Sequence, residues 1–371
     1  MTEVLIIGGG ISGAVTAMAL HKAGISSVVH EAYATGAADA GAFLTIMHNG
    51  MDALRAIEAH QPVIDNSFPA NGIELVAATG ETVGERRFEQ LGVTSPRTTT
   101  RSRLYSALHE EAVLRGIRIE HGKRLVGTTT TSSGVTARFS DGSSAHGDLI
   151  IGADGIHSTV RELIDPEAPR PRYTGLNVVY GYTRDASIPT ASESYRMIQG
   201  ERAFFGHTTA PDGQTFWFSR IPGPERDKAE LLATTPAQWR AQAIEAFTGD
   251  NTPAAEIIRS TGEDVYGGHA YDVPTTPVWF TENMVLVGDA AHAASPAAGQ
   301  GASMALEDSV VLAQCLRDLP DAPAAFGAYE ALRRERVERL VATSAGQTSD
   351  ADRNWLYGHH IEWDRLTIQP G

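Results

Sequence analysis

Apolar residues along this chain gather in short runs that end in glycine. Val4-Leu5-Ile6-Ile7 stops at Gly8-Gly9-Gly10, Ile11 to Leu20 repeats apolar positions at helical spacing, and Ser27-Val28-Val29-His30 closes on Glu31. The order is strand, tight turn, helix, strand, acid. Leu149-Ile150-Ile151 runs into Gly152, and Val285-Leu286-Val287 into Gly288, in the same manner. Three such runs belong together in one domain. Between them, Asn71–Val76 and Thr79–Val83, Ala203–Gly206 and Phe216–Phe218 around Pro211-Asp212-Gly213, and Val178–Tyr182 alternate in character and read as antiparallel strands joined by turns. Helical spacing returns over about 300–316 and 324–342. The pattern predicts a mixed α/β chain. Residues 1–70, 97–172 and 269–345 would form a discontinuous first domain, and 71–96 with 173–268 an inserted sheet domain. Residues 346–371 would be a tail that Trp355, Tyr357 and Trp363 pack onto the body.

The first glycine turn carries specific chemistry. Gly8 permits a sharp exit from the strand, Gly10 lets a diphosphate come against the backbone, and Gly13 lets the helix pack close to the sheet. The helix start supplies unpaired amide donors and the positive end of the dipole, so phosphate is held without a lysine. Glu31 lies at the distance, about 20 residues on, expected of an acid that hydrogen-bonds a ribose diol. A carboxylate there repels a ribose 2′-phosphate. FAD and NAD fit this pocket; NADP does not.

Length and charge narrow the rest. At 371 residues the chain is long enough for two domains, and a formal net charge of −15 with only three lysines argues against nucleic acid or an anionic membrane as partner. Cys315 is the sole cysteine, so no internal disulfide or cysteine metal cluster can form. Val4–Leu20 has Glu3 in place of a basic flank and is broken by glycines, unlike a signal peptide. No stretch reaches the roughly 20 apolar residues of a membrane span. The expectation is a soluble, cytoplasmic protein, monomer or homodimer, without a metal.

Two further motifs extend the picture. Asp148 to Arg161 contains Gly152-Ala153-Asp154-Gly155-Ile156-His157-Ser158, and Val285 to His292 contains Gly288-Asp289-Ala290-Ala291-His292, followed by Pro296 and Gly299-Gln300-Gly301. With the first turn, these resemble the three fingerprints of the FAD-dependent aromatic hydroxylase superfamily, the single-component flavoprotein monooxygenases of para-hydroxybenzoate hydroxylase type. The resemblance spans most of residues 1–340. It implies a Rossmann-like FAD-binding domain, an inserted antiparallel-sheet substrate domain and C-terminal helices.

The resemblance also implies roles. Gly8, Gly10, Ser12, Gly13 and Glu31 would hold the adenosine end of FAD, with the backbone at Leu125 touching adenine. Asp154 would order loops near the diphosphate, and Asp289 would hydrogen-bond the ribityl chain. Pro296 and the backbone of Gly299, Gln300, Gly301 and Ala302 would face the flavin. Arg101, from Arg101-Ser102-Arg103-Leu104, would reach it, with Arg103 the rival. The loop Gly41–Gly50 would lie beside the ring. NADH or NADPH would arrive transiently, and one atom of O2 would pass through a flavin hydroperoxide to a small aromatic or polycyclic substrate. His48, Tyr180, Tyr182 and His207 are the candidate bases, and Phe204, Phe205, Trp217 and Phe218 suit a flat ring. Only alternate strand residues would face it. Two other readings compete. A flavin-dependent halogenase is suggested by Trp217-Phe218-Ser219-Arg220-Ile221-Pro222, but the second tryptophan of that signature is absent and no lysine lies between Lys22 and Lys123. The other is a non-catalytic FAD or ligand binder.

Overall fold

A computed structural model describes residues 3–35, 41–88, 95–132, 134–185, 193–295, 299–344 and 354–365. The three glycine-ended runs lie side by side. A five-stranded sheet orders Met284–Leu286, Leu149–Gly152, Glu3–Ile7, Ser26–His30 and Arg118–Glu120, and every neighbouring pair is parallel. Val4, Ile6, Ile150, Ile151 and Val285 are fully buried, because both faces of the sheet are covered. Ile7 pairs with Gly152, and Gly152 with Leu286, so the three runs end in line and their turns open on one edge. Helix Ile11–Lys22 is buried from Gly13 to Leu20 and hydrogen-bonds helix Gly301–Asp318 through Thr16 Oγ1 to Ser309 Oγ at 2.9 Å.

A seven-stranded sheet orders Val265–Asp272, Arg172–Thr183, Thr215–Pro222, Phe204–Thr209, Ser194–Gln199, Gly72–Ala77 and Thr82–Arg87. Its pairings are antiparallel except that of Ser194–Gln199 with Gly72–Ala77. That parallel pair joins two separate insertions, so no hairpin dictates its direction. The two-residue period divides the side chains. Val179, Phe205, Trp217 and Val265 pack against Trp239, Ala243, Phe247, Ile257 and Ile258 from helices Pro236–Ala246 and Ala254–Arg259. The opposite face turns Tyr182, Tyr195, Met197, Phe216 and Phe218 toward Phe43 and Phe68 of the first domain. Phe204 shares that inner face, since it and Phe218 stand on alternate residues from Phe205 and Trp217.

A small antiparallel sheet of Phe43–Ile46, Arg97–Thr100 and Phe68–Pro69 carries the chain between the two bodies. Another, of Leu125–Thr131, Gly134–Phe139 and Ser144–Gly147, precedes the second motif. The tail is pinned by Ile361 N donating to Asp52 at 2.7 Å, Gln314 to the Glu362 carbonyl at 2.9 Å, and Arg336 to the Leu356 carbonyl at 2.7 Å. Among the described residues no helix is long and apolar enough to cross a membrane.

Candidate active site

The first turn is braced from behind and open in front. Gly8 has φ +101°, and a Cβ there would stand 2.4 Å from the Ala153 carbonyl oxygen, so the first and second motifs meet backbone to backbone. A Cβ on Gly13 would stand 1.9 Å from the Gly8 carbonyl oxygen: the helix presses directly on the turn. Gly10 instead faces open space. Helix Ile11–Lys22 has no side-chain cap, and Ser12 Oγ is buried there without a hydrogen-bond partner. A buried orphan hydroxyl costs about 1–3 kcal/mol, and a diphosphate oxygen is the partner this site lacks. The donor set therefore fits a dinucleotide.

Glu31 is buried behind the same turn. Its Oε2 accepts from Gly9 N at 2.7 Å and its Oε1 from Tyr33 N at 2.8 Å. A carboxylate has about four lone-pair sites, so capacity remains for ribose hydroxyls. His109 Nε2 donates to the Gly9 carbonyl, its ring stacked on Tyr105 at 3.9 Å. Asp154 accepts from Ser158 Oγ at 2.5 Å and from the amides of Thr159 and Val160 at 2.8 and 3.1 Å, capping helix Thr159–Ile164. Buried Arg161 donates to the carbonyls of Ile156 at 2.6 Å and Ala290 at 3.0 Å, which ties the second motif to the third.

An ion network anchors the third motif. Asp308 accepts from Gly288 N at 3.0 Å, from Arg333 Nε at 2.7 Å and from His292. Glu307 accepts from Arg333, Arg336 and Asn49. Burial alone would push both carboxyls up. Arg333, joined by Arg336 at Glu307 and His292 at Asp308, outweighs it and brings each down to about 2. The network holds the start of helix Gly301–Asp318, where Asn49 donates to Gln300 Oε1 at 3.2 Å and Gln300 Nε2 is buried without a partner. Met47 N donates to Ser303 Oγ at 3.0 Å and so ties the Gly41–Gly50 loop to that helix start. Asp289 Oδ1 stands 3.7 Å from where a Gly301 Cβ would be.

Beside this edge lies an aromatic cluster. Phe43 is its hub, with the rings of Phe216, Phe218, Tyr182 and Tyr195 at 5.5, 5.8, 6.4 and 6.4 Å. Tyr180 stacks on Tyr266 at 5.3 Å and meets Tyr182 edge-on. Burial pushes the Tyr180 and Tyr182 phenols up, so both remain neutral at ordinary pH; the Arg101 charge partly opposes the shift at Tyr180.

The FAD binding domain family matches residues 1–344 of the chain. The chain belongs to the FAD-dependent aromatic hydroxylase family. It is an FAD-dependent monooxygenase, and FAD is its cofactor. The flavoprotein is 31% identical to an aurachin C monooxygenase/isomerase of Stigmatella aurantiaca, over 95% of this chain and 92% of that one. It is 32% identical to a 3-amino-4-hydroxybenzoate 2-monooxygenase of Streptomyces platensis, over 91% and 85%. Its structure is similar to HpxO of Klebsiella pneumoniae complexed with FAD and uric acid, with a TM-score of 0.83 at 26% identity, covering 93% of this chain and 87% of that one.

In this monooxygenase Gly8, Gly10, Ser12, Gly13 and Glu31 converge on one turn, with Asp154 and Asp289 on the adjoining strand ends. Gln300 is buried and Gly301 and Ala302 half-buried at the second helix start, while Gly299 is exposed. Pro296 lies outside the described residues. Arg101 opens helix Arg101–Leu114 and reaches Tyr180 electrostatically; Arg103 is exposed near Asp212. Leu125 is a core side chain. His48 is the buried first residue of helix His48–Ala56, and Met47 occupies the cap position. The register partners Arg196 and Trp217 put His207 on the helix-covered face, opposite Tyr180. Burial also lowers its pKa to about 3. Phe43, His109, Arg220 and Tyr266 were not among the expected site residues. Phe43 stands in the Gly41–Gly50 loop and Arg220 in the Trp217–Pro222 segment, but their orientation depends on pairing across the sheets.

Proposed function

We propose that this monooxygenase takes two electrons from NADH or NADPH and inserts one atom of O2 into a flat, electron-rich aromatic or polycyclic substrate, the other atom leaving as water. The observation that carries the reading is the inner face of Tyr180, Tyr182, Phe216 and Phe218 around Phe43, on a loop tied to the helix start at Ser303. FAD, when bound, accepts the hydride and activates oxygen. The turn from Gly8 to Gly13 and Glu31 hold its adenosine diphosphate end, and the Leu125 backbone borders adenine. Asp289 holds the ribityl chain. Gly299, Gln300, Gly301 and Ala302 border the ring, where the helix start stabilises negative charge. Arg101 adds a second positive group. Asp154 orders the turn at Gly155.

On this reading residues 1–70, 97–172 and 269–345 hold the cofactor, and 71–96 with 173–268 hold the substrate. The ring stacks between aromatic side chains, which also exclude water. Tyr180, kept neutral by burial, donates a hydrogen bond to substrate oxygen, and His48 is the remaining candidate to take a proton. The relatives named for 3-amino-4-hydroxybenzoate and 6-hydroxynicotinate, and the neighbour holding uric acid, support a flat oxygen-bearing ring as the substrate class. The nicotinamide cofactor reaches the flavin transiently, away from the Glu31 pocket. Holoprotein supplied with NADH or NADPH and a panel of hydroxylated aromatics should show substrate-stimulated oxidation of the nicotinamide with matching oxygen uptake. Absence of stimulation by every compound that perturbs the flavin spectrum would sink the proposal.

A further inference from the structure

Gly9, in the middle of the first turn, is gripped by side chains on both of its peptides. Its N–H donates to Glu31 Oε2 at 2.7 Å, and its carbonyl accepts from His109 Nε2. Glu31 follows strand Ser26–His30 and His109 stands on helix Arg101–Leu114, so the two reach the turn from separate segments. A carbonyl can only accept, which assigns the imidazole proton to Nε2. The His109 ring is half-buried and stacks on Tyr105, one helical turn earlier, with centroids 3.9 Å apart. Burial lowers its pKa against the opposing effect of the Gly9 carbonyl, so the imidazole is neutral at ordinary pH.

Each contact fixes one peptide plane, because the C=O and the following N–H of a trans peptide point in opposite directions. Glu31, by taking the Gly9 N–H, turns the Gly8 carbonyl toward helix Ile11–Lys22, where a Gly13 Cβ would stand 1.9 Å from it. His109, by taking the Gly9 carbonyl, turns the Gly10 N–H away from helix Arg101–Leu114. The front of the turn is open there: a Cβ on Gly10 would meet nothing within 4 Å, and Ser12 Oγ is buried without a partner. A flip of the Gly9–Gly10 peptide would present a carbonyl oxygen to a diphosphate in place of an amide, repulsion in place of a hydrogen bond. Glycine on both sides makes such a flip sterically easy. The histidine opposes it.

We propose that His109 is a positioning residue for FAD: by holding the Gly9 carbonyl it aims the Gly10 N–H at the diphosphate. The inference rests on the reading that places the diphosphate at this turn. His109 acts through Gly9, and the property it must keep is a donor at the place of its Nε2.

The test strips flavin from the full chain and titrates FAD back, following the quenching of flavin fluorescence, with the apoprotein Tm measured on each preparation. Glutamine carries its amide nitrogen about as far from the backbone as imidazole Nε2, asparagine is one bond shorter, and leucine has no donor. His109→Leu and His109→Asn should each raise the Kd for FAD about tenfold, whereas His109→Gln should stay within about threefold of the wild type. Gly10→Ala, titrated alongside, reports on the turn itself. An unchanged Kd in His109→Leu, even with a lowered Tm, overturns the role of His109, and so does a Kd for His109→Gln as weak as that of His109→Asn. Weakened binding by Gly10→Ala in that event leaves the diphosphate reading standing; wild-type binding by Gly10→Ala overturns that reading as well. If His109→Leu yields no folded apoprotein, the contrast of Gln with Asn decides in the same way.

Discussion

Glu31→Gln separates what the acid does for the protein from what it does for the cofactor. The carboxylate accepts two amides at once, Gly9 N at 2.7 Å and Tyr33 N at 2.8 Å. Glutamine keeps a single carbonyl oxygen, so one of those amides must face an NH2 group, donor against donor. Losing a hydrogen bond to a charged acceptor costs about 1.5–3 kcal/mol. Part of that falls on the apoprotein and part on FAD, because the turn at Gly9 is no longer held in the shape that receives a diphosphate. At about 1.4 kcal/mol per tenfold, full transfer to binding weakens FAD by about ten- to a hundredfold. FAD affinity is read from quenching of flavin fluorescence on titration of apoprotein, with the apoprotein Tm measured on the same preparation. The expected result is a raised Kd with a lowered Tm. An unchanged Kd beside an unchanged Tm would refute the assignment of Glu31 to both turn and ribose.

Four other substitutions follow from the same geometry. Gly13→Ala drives a Cβ to 1.9 Å from the Gly8 carbonyl oxygen and should yield protein without retained flavin, whereas Gly10→Ala meets open space and should keep the apoprotein Tm while weakening FAD; equal behaviour of the two counts against the geometry. Arg333→Leu removes the shared partner of Glu307 and Asp308 and should cost about 3–5 kcal/mol by thermal or urea unfolding. Those carboxyls sit near 2 in the folded chain against about 4 unfolded, so their stabilisation is complete above about pH 5 and is lost as pH falls toward 2; the variant should show a flatter fall of Tm between pH 5 and 3. His207, held at about 3 against about 6.5 unfolded, stays neutral while the unfolded chain takes a proton, so it subtracts stability as pH drops below about 6.5. His207→Leu should remove that loss and leave turnover unchanged; a collapse of turnover in soundly folded protein would return His207 to the site.

Much of the architecture was readable from local pattern. The runs ending at Gly8, Gly152 and Gly288 became three adjacent strands whose turns share an edge, and the alternation that separates Phe204 from Phe205 and Phe218 from Trp217 became the two faces of one sheet. Helices expected near 300–316 and 324–342 extend over Gly301–Asp318 and Ala322–Ser344. Such features are legible because a two- or four-residue period and the absence of a Cβ act within a few residues of chain. The candidate bases were harder, since a histidine in a strand has the same local sequence whichever face it occupies.

The sequence by itself determined that the runs before Gly8, Gly152 and Gly288 are strands of one sheet, and that a dinucleotide suits the first turn. Tertiary structure alone decided that Tyr180 meets Tyr266, that Phe43 enters the aromatic face, that His207 turns away from it, and that Arg333 lies between Glu307 and Asp308. Each of these depends on strand register or on packing between distant segments, and a slip of one residue would exchange the two faces of a strand.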